Sequence, residues 1–507
     1  MKNNKNITAI TLFLIAFVLL LNSCGKMNNK DNTVLLTIKD DPTISFRIWF
    51  KTGSQDDPDG KEGLAALTAA MLTDGATRNN SYEQILNKLY RIAASYSASV
   101  DMEMTIINGR VHKDNLEEYY KLFTDAIMHP AFNEDDFNRI KSQMLNYLEN
   151  TLRYSSDEEL GKAALYNFIF DGTPYGHLAT GTVYGLKHIT LQDVENFYKK
   201  HYTKNNYVIG LGGGFDNGFT NKLNDVLAKL PDEKQILIPK PEPKKIEDLN
   251  ILIVDKPCDA TAISFGFPID VLRGDKDFFA LFLFNSWFGE HRNQSSHLYQ
   301  VIREKRGMNY GDYSYIETFL NGGNLNFPQP NNPRHQQIFE VWLRPVQHQH
   351  AHFALRAAIR ELDSVIANGL TQEQFELTKN FLYNYALFYA QTTSLRLGFQ
   401  IDSKFYGIDD GGDYIQYFRN KIKNLTLEEV NQAIKKHIQS KNMKIAIVTT
   451  GGDDFKVALV NNTPSPVTYL TAPSNEILEE DKIIENYHLD IFPEKVNVIK
   501  VDRMFAK

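Results

Sequence analysis

Within GLAALTAAMLTDGAT, Gly63 to Thr77, the apolar residues Leu64, Leu67, Met71 and Leu72 recur at helical spacing and Gly75 supplies a stop. This pattern predicts an amphipathic helix. The strand-like TISFRIWF before it has a counterpart in AISFGFPI, where Ile44-Ser45-Phe46 is echoed by Ile263-Ser264-Phe265. Each strand leads into a helix ending in glycine, Gly75 or Gly289. A second correspondence sets Thr190–Ile209 against Thr426–Ile445 at a constant offset of 236, pairing Lys199-Lys200-His201 with Lys435-Lys436-His437. Both copies predict a capped helix, a turn and an apolar strand, Val208–Leu211 or Ile445–Val448.

An internal repeat of this kind divides the chain into two similar halves. Helical stretches such as Leu116–Met128 and Asp135–Leu152 follow the strands of the first half. Mixed runs of strand and helix imply an α+β fold, helices packed on largely antiparallel sheet. The expected organisation is a first domain over 34–238, a proline-rich charged linker over 239–250, a second domain over 251–452 and a C-terminal extension over 453–507.

The amino terminus reads as a targeting signal. Lys2 and Lys5 precede an apolar run, Ile10–Leu21, of about a dozen residues, short of the roughly 20 that span a bilayer. Leu21-Asn22-Ser23-Cys24 has the form of a lipoprotein signal box, so residues 1–23 are expected to be removed and Cys24 to carry the lipid. Cleavage by the general signal peptidase, or retention as an anchor, is the alternative. Residues 24–33 then form a polar tether, and the body is placed in the cell envelope, on the periplasmic or surface side of a membrane. The formal charge of −7 becomes about −9 when residues 1–23 leave with their two lysines and no acid. Such a surface argues against nucleic acid as a partner. Cys258 is then alone as a thiol in the body, so stability has to come from burial.

The alanine-rich helix resembles one in the M16 metallopeptidase family, the insulinase and pitrilysin type, whose equivalent stretch has the form G-x-A-H-x-x-E-H-M-L-x-x-G-T. On that pattern the two zinc-binding histidines fall on Ala66 and Ala70, the catalytic glutamate on Ala69, and the further zinc-ligand glutamate on Tyr147. Zinc needs imidazole, thiolate or carboxylate donors, and a methyl group has no lone pair to give. The resemblance extends from about Leu35 to Gly452 and includes PYGHLATGTVYGLKHIT at Pro174–Thr190 and LYQVIREKRGMNYGDYSYIE at Leu298–Glu317. It implies two homologous domains arranged as a clam shell around a chamber.

In the family, an arginine and a tyrosine seven residues apart in the second domain hydrogen-bond the substrate backbone from across the chamber. The matching positions are Arg303 and Tyr310, with Gly307 between them. A guanidinium and a phenol are strong donors suited to a peptide carbonyl as charge develops on it. The bland alternative places Arg303 in a surface ion pair with Glu304 or another acid and Tyr310 in a core strand. Loss of every metal ligand with retention of this pair resembles the non-catalytic member of two-subunit bacterial M16 peptidases. The expected partners are therefore an H-x-x-E-H-bearing subunit, which would hold the zinc, a peptide substrate, and a membrane through the lipid anchor. This chain itself is expected to carry no cofactor and to cut nothing alone. The rival reading is a structural or peptide-binding scaffold of the same fold; an active homo-oligomer with unfamiliar ligands is disfavoured by four losses at once.

Other candidates carry less. The run Gln347-His348-Gln349-His350-Ala351-His352 resembles a metal motif but fits a strand-to-helix connection, with Pro345 before it and a clear helix after it. Glu290, His291 and His297 fit a loop with hydrogen-bonding roles, and Gly212-Gly213-Gly214 a strand-end turn that no P-loop Lys-Ser/Thr follows. Cys258 has no histidine beside it. The acidic tail from Thr463 is compatible with a helix and strand that return to the body.

Overall fold

The computed structural model describes residues 32–234, 238–319, 327–471 and 473–507. Its first half runs β1 (Thr33–Thr37), β2 (Thr43–Phe50), α1 (Leu64–Thr73), β3 (Ser95–Val100), β4 (Thr105–His112), α2 (Asp157–Phe170), α3 (Leu191–His201) and β5 (Tyr207–Gly213), with further helices between β4 and α2. The second half repeats this order. It runs β6 (Leu249–Asp255), β7 (Thr261–Ile269), α4 (Phe278–Gly289), β8 (Asp312–Tyr315), β9 (Gln337–Val346), α5 (Thr393–Tyr406), α6 (Leu427–His437) and β10 (Met443–Thr449). Two elements follow it, α7 (Asn475–Ile484) and β11 (Val496–Lys500).

The sheets have equivalent orders, β1-β5-β2-β4-β3 and β11-β6-β10-β7-β9-β8. In each, a central strand (β2 or β7) pairs antiparallel on both sides, while β1 and β6 join the neighbouring strand in parallel. The α+β architecture follows from this. The repeated helices α3 and α6 start as their sequences dictate: Thr190 and Asp193 exchange capping hydrogen bonds, as do Thr426 and Glu429. Segment 239–248 has no regular structure, and β6 begins two residues inside the expected linker.

Sequence patterning did not anticipate how the halves join. Helix α2, of the first half, packs across β7 and β10 of the second sheet, and α5, of the second half, packs across β1 and β5 of the first. The two helices are equivalent in the repeat, starting at Asp157 and Thr393 with the same offset of 236. Glycines permit the close approach of α5: a Cβ at Gly210 would lie 2.7 Å from Ile401 Cδ1, and one at Gly212 3.0 Å from Thr393 Cγ2. Leu397 and Ile401 of α5 complete a buried cluster with Trp49, Met104, Ile106 and Val208 of the first sheet.

Polar latches reinforce this exchange. Arg334 grips Asp101 through Nε at 2.6 Å and through a second, short bond from Nη2. Next to it the His335 amide donates to Glu103 at 2.7 Å, and Lys256 Nζ donates to Asp157 at 2.7 Å. The C-terminal extension joins both halves as well. Strand β11 lengthens the second sheet in parallel with β6, and the chain then returns to the first half. There Met504 and Phe505 are buried, the Met504 carbonyl accepts from Arg153 Nε at 3.1 Å, and the Phe505 carbonyl accepts from the Val183 amide at 2.9 Å.

Candidate functional site

Helix α1 is fixed at its N-terminus by buried Asp57, whose carboxylate oxygens accept from the Gly63 and Ala65 amides, each at 2.7 Å. Gly63 sits at φ 105, a backbone conformation that suits glycine. The helix is not amphipathic: Ala65, Thr68 and Ala69 are buried along with Leu64, Leu67, Met71 and Leu72. Small residues let the sheet and neighbouring helices close on it from nearly every side. Ala69 is 1% exposed, whereas Ala66 and Ala70 are half-buried. The fourth position, Tyr147, is 40% exposed and opens a π-helical turn, Tyr147–Thr151. Burial raises its phenol pKa, and the Glu159 carboxylate adds to the effect. Three methyl groups and a phenol of this kind do not fit a zinc ion. Among the described residues no cluster of three or more His, Cys, Asp or Glu side chains is placed to hold a metal.

Between the halves lies a cleft of about 230 Å³. Its first-half wall includes Val100, Asp101 and Tyr147, and its second-half wall Arg334, Glu340 and Trp342. Of the four degenerate motif positions, only Tyr147 lines it.

Arg303 lies in a second π-helical turn, Tyr299–Glu304. Its Nη1 donates to the Tyr299 hydroxyl and, at 3.3 Å, to the Tyr310 carbonyl, and its guanidinium lies 4.7 Å from the Tyr299 ring centroid. Tyr310 is 76% exposed, ahead of β8, and so is not a core strand residue. Beside the pair, burial pushes the Asp312 carboxyl up to about 8 against the Asn309 amide and the Arg303 and Arg344 charges. Neither Arg303 nor Tyr310 lines the cleft, which is bordered by the residues that follow β8, Thr318 and Phe319. The structure thus brings the arginine and tyrosine together, outside that cleft.

The remaining candidates have separate partners. Glu290 accepts from Ser286 Oγ at 3.0 Å, Asn293 Nδ2 at 2.9 Å and the Tyr389 hydroxyl at 3.2 Å, and burial pushes it up to about 7. His291 is 2.5 Å from the Tyr315 hydroxyl, and His297 is 2.6 Å from Glu361. His348, in the 3-10 turn between β9 and the helix Ala351–Asn368, contacts Thr261 Oγ1 and the Cys258 carbonyl. Burial depresses His352 to about 3 and pushes the Cys258 thiol up to about 11, so Cys258 is a poor nucleophile at neutral pH. Gly213 ends β5 at φ 118. Cys24 lies outside the described residues. What sequence reasoning missed is the Asp101–Arg334 latch and the cleft beside it, which unite residues 233 positions apart and leave no periodic trace.

Two repeated α+β halves, with a peptidase-type helix stripped of donors, define the class: an inactive relative of two-domain metallopeptidases. Residues 33–177 match the family described as Insulinase (Peptidase family M16), and residues 188–382 match the Peptidase M16 inactive domain. The chain belongs to peptidase family M16 and is of its inactive type. It is similar to the non-peptidase homolog YmxG of Helicobacter pylori, 26% identical over 424 residues that cover 82% of this chain and 90% of the relative. An uncharacterized zinc protease of Streptomyces coelicolor is 24% identical, over 66% of this chain and 69% of its own. In fold it resembles the solved peptidase M16 inactive domain from Pseudomonas fluorescens, with a TM-score of 0.72 and 23% identity over 82% of this chain and 95% of that one.

Proposed function

We propose that this chain is the non-catalytic subunit of a two-chain zinc endopeptidase, pairing with an H-x-x-E-H-bearing M16 subunit and helping to hold an extended peptide. The observation that carries this reading is the placement of Arg303 and Tyr310. The phenol stands in the open, and neither residue lines the cleft between the halves of this chain. Donors so placed are available to a site brought by another chain, where they would meet a peptide carbonyl as negative charge grows on its oxygen. The peptide would pair as an added strand with a sheet edge, and β3 and β8 are edge strands. We also propose that Cys24 is lipidated and tethers the assembly to a membrane; labelled fatty acid should enter the intact protein and be lost with Cys24→Ser.

The test is to isolate the protein from its native membrane, identify an accompanying H-x-x-E-H chain and assay each chain alone and mixed. Cleavage is expected of the mixture only. Arg303→Ala and Tyr310→Phe should each lower its kcat/KM by about a hundredfold, as loss of a transition-state donor does, without preventing association. Unchanged cleavage with both variants would end the trans-acting role. One observation favours the second reading, a scaffold of the same fold: Arg303 is already engaged by the Tyr299 hydroxyl and the Tyr310 carbonyl. A scaffold predicts association with no effect of either variant on cleavage.

A further inference from the structure

The loop that carries Arg303 and Tyr310 is exposed at Glu304, Lys305 and Gly307, yet Arg306 in the middle of it turns inward, its side chain fully buried. A guanidinium is costly to bury unless its charge and its donors are met. One acceptor comes from the turn that holds Arg303, the Val301 carbonyl at 2.7 Å. Two more come from α7, in the C-terminal extension: Nε donates to Asp481 at 2.8 Å and Nη2 to Glu480 at 2.7 Å.

Helix α7 is itself fixed from behind. Ile484 at its end is buried in the second-half core, and α7 packs on the helix Ala351–Asn368. Asp481 also accepts from the Tyr469 hydroxyl at 2.6 Å, and Glu480 from Arg360 at 3.1 Å. The two acids thus present a rigid fork to Arg306. Next to Arg306, Gly307 takes φ 65 and its amide donates to the Arg303 carbonyl at 2.6 Å, which closes the turn between the two donors.

We infer that α7 is a brace for the Arg303–Tyr310 loop and that Arg306 is a positioning residue: anchored to acids 174 and 175 positions away, it fixes the turn from which both donors project. The effect on cleavage rests on the peptide-holding reading above, but the brace itself is tested on this chain alone. Arg306→Met removes the fork and leaves both acids their second partners, so the chain should still fold. Arg306→Lys keeps the charge but, as a single ammonium, does not reproduce the planar fork. Amide hydrogen exchange of the full chain should accelerate at least about tenfold across 303–311 in Arg306→Met, and by a smaller factor in Arg306→Lys, with α6 and β10 unchanged. Unchanged exchange across 303–311 overturns the brace. A rise of the same factor throughout the second half overturns it too, since that marks a general contribution to stability. Should Arg306→Met fail to fold, Arg306→Lys decides by the same criteria. In the mixture with the active subunit, Arg306→Met should lower kcat about tenfold with KM little changed, and should add nothing to the loss caused by Arg303→Ala with Tyr310→Phe, because it acts only through those donors. An unaltered kcat, or a full additional loss in that background, overturns the positioning role. Cleavage indifferent to Arg303→Ala and Tyr310→Phe ends the parent reading instead, and the exchange measurement still decides the brace.

Discussion

Arg334→Met is expected to cost about 3–5 kcal/mol of folding stability, the range for breaking a buried ion pair by removing one partner. Arg334 is 3% exposed and Asp101 2%, so both charges have given up their water. The guanidinium meets both carboxylate oxygens and also lies 4.5 Å from the Tyr166 ring centroid. Methionine would preserve much of the volume but leave the Asp101 carboxylate buried with no counter-charge. Removing both charges in Asp101→Leu with Arg334→Met should restore much of the loss, since the isolated charge rather than the missing bond dominates the cost. Urea unfolding of the single and double variants at unchanged m-value measures this. A loss below about 1 kcal/mol in the single variant, the range of an exposed ion pair, would contradict it.

Deleting residues 501–507 should have an effect at least as large. Val501, Met504 and Phe505 all lie in the first-half core, and full burial of each such side chain contributes about 1.5–3 kcal/mol. The deletion also removes the carbonyl that accepts from buried Arg153 and the two that accept from the Val183 and Tyr184 amides. Phe505 adopts φ 55, which costs a non-glycine residue about 1–2 kcal/mol, and burial of its ring offsets that cost. The expected total is a large part of the roughly 5–15 kcal/mol that stabilises a typical domain, so the truncated chain should accumulate poorly and melt far lower. Phe505→Ala keeps the effect measurable at about 3–5 kcal/mol, whereas loss of exposed Lys507 alone should leave the melting temperature unchanged.

The parts of this structure legible in the sequence are those set by neighbours along the chain. The Thr190–Asp193 and Thr426–Glu429 caps, the strands that follow them and the strand-to-helix passage through His348–His350 are written within a few residues of each other. The chemistry of the vacant motif was legible too, since alanine cannot donate to a metal wherever it lies. Its setting was not. Leucine spacing in α1 predicts one buried face, but alanine and threonine between the leucines are small enough to be buried as well, and periodicity does not register that. The partner sheets of α2 and α5 were equally hidden, because a helix pattern states which face is apolar and not which sheet will cover it. The same holds for Arg334 and Asp101, whose pairing depends on the two halves having docked.

The helix exchange also governs how this chain can move. Spreading the halves apart would drag α2 off β7 and β10 and α5 off β1 and β5, uncovering apolar surface on both sheets in one step. Hinging between them is thus tied to partial unfolding, and the chain is expected to flex as one stiff body.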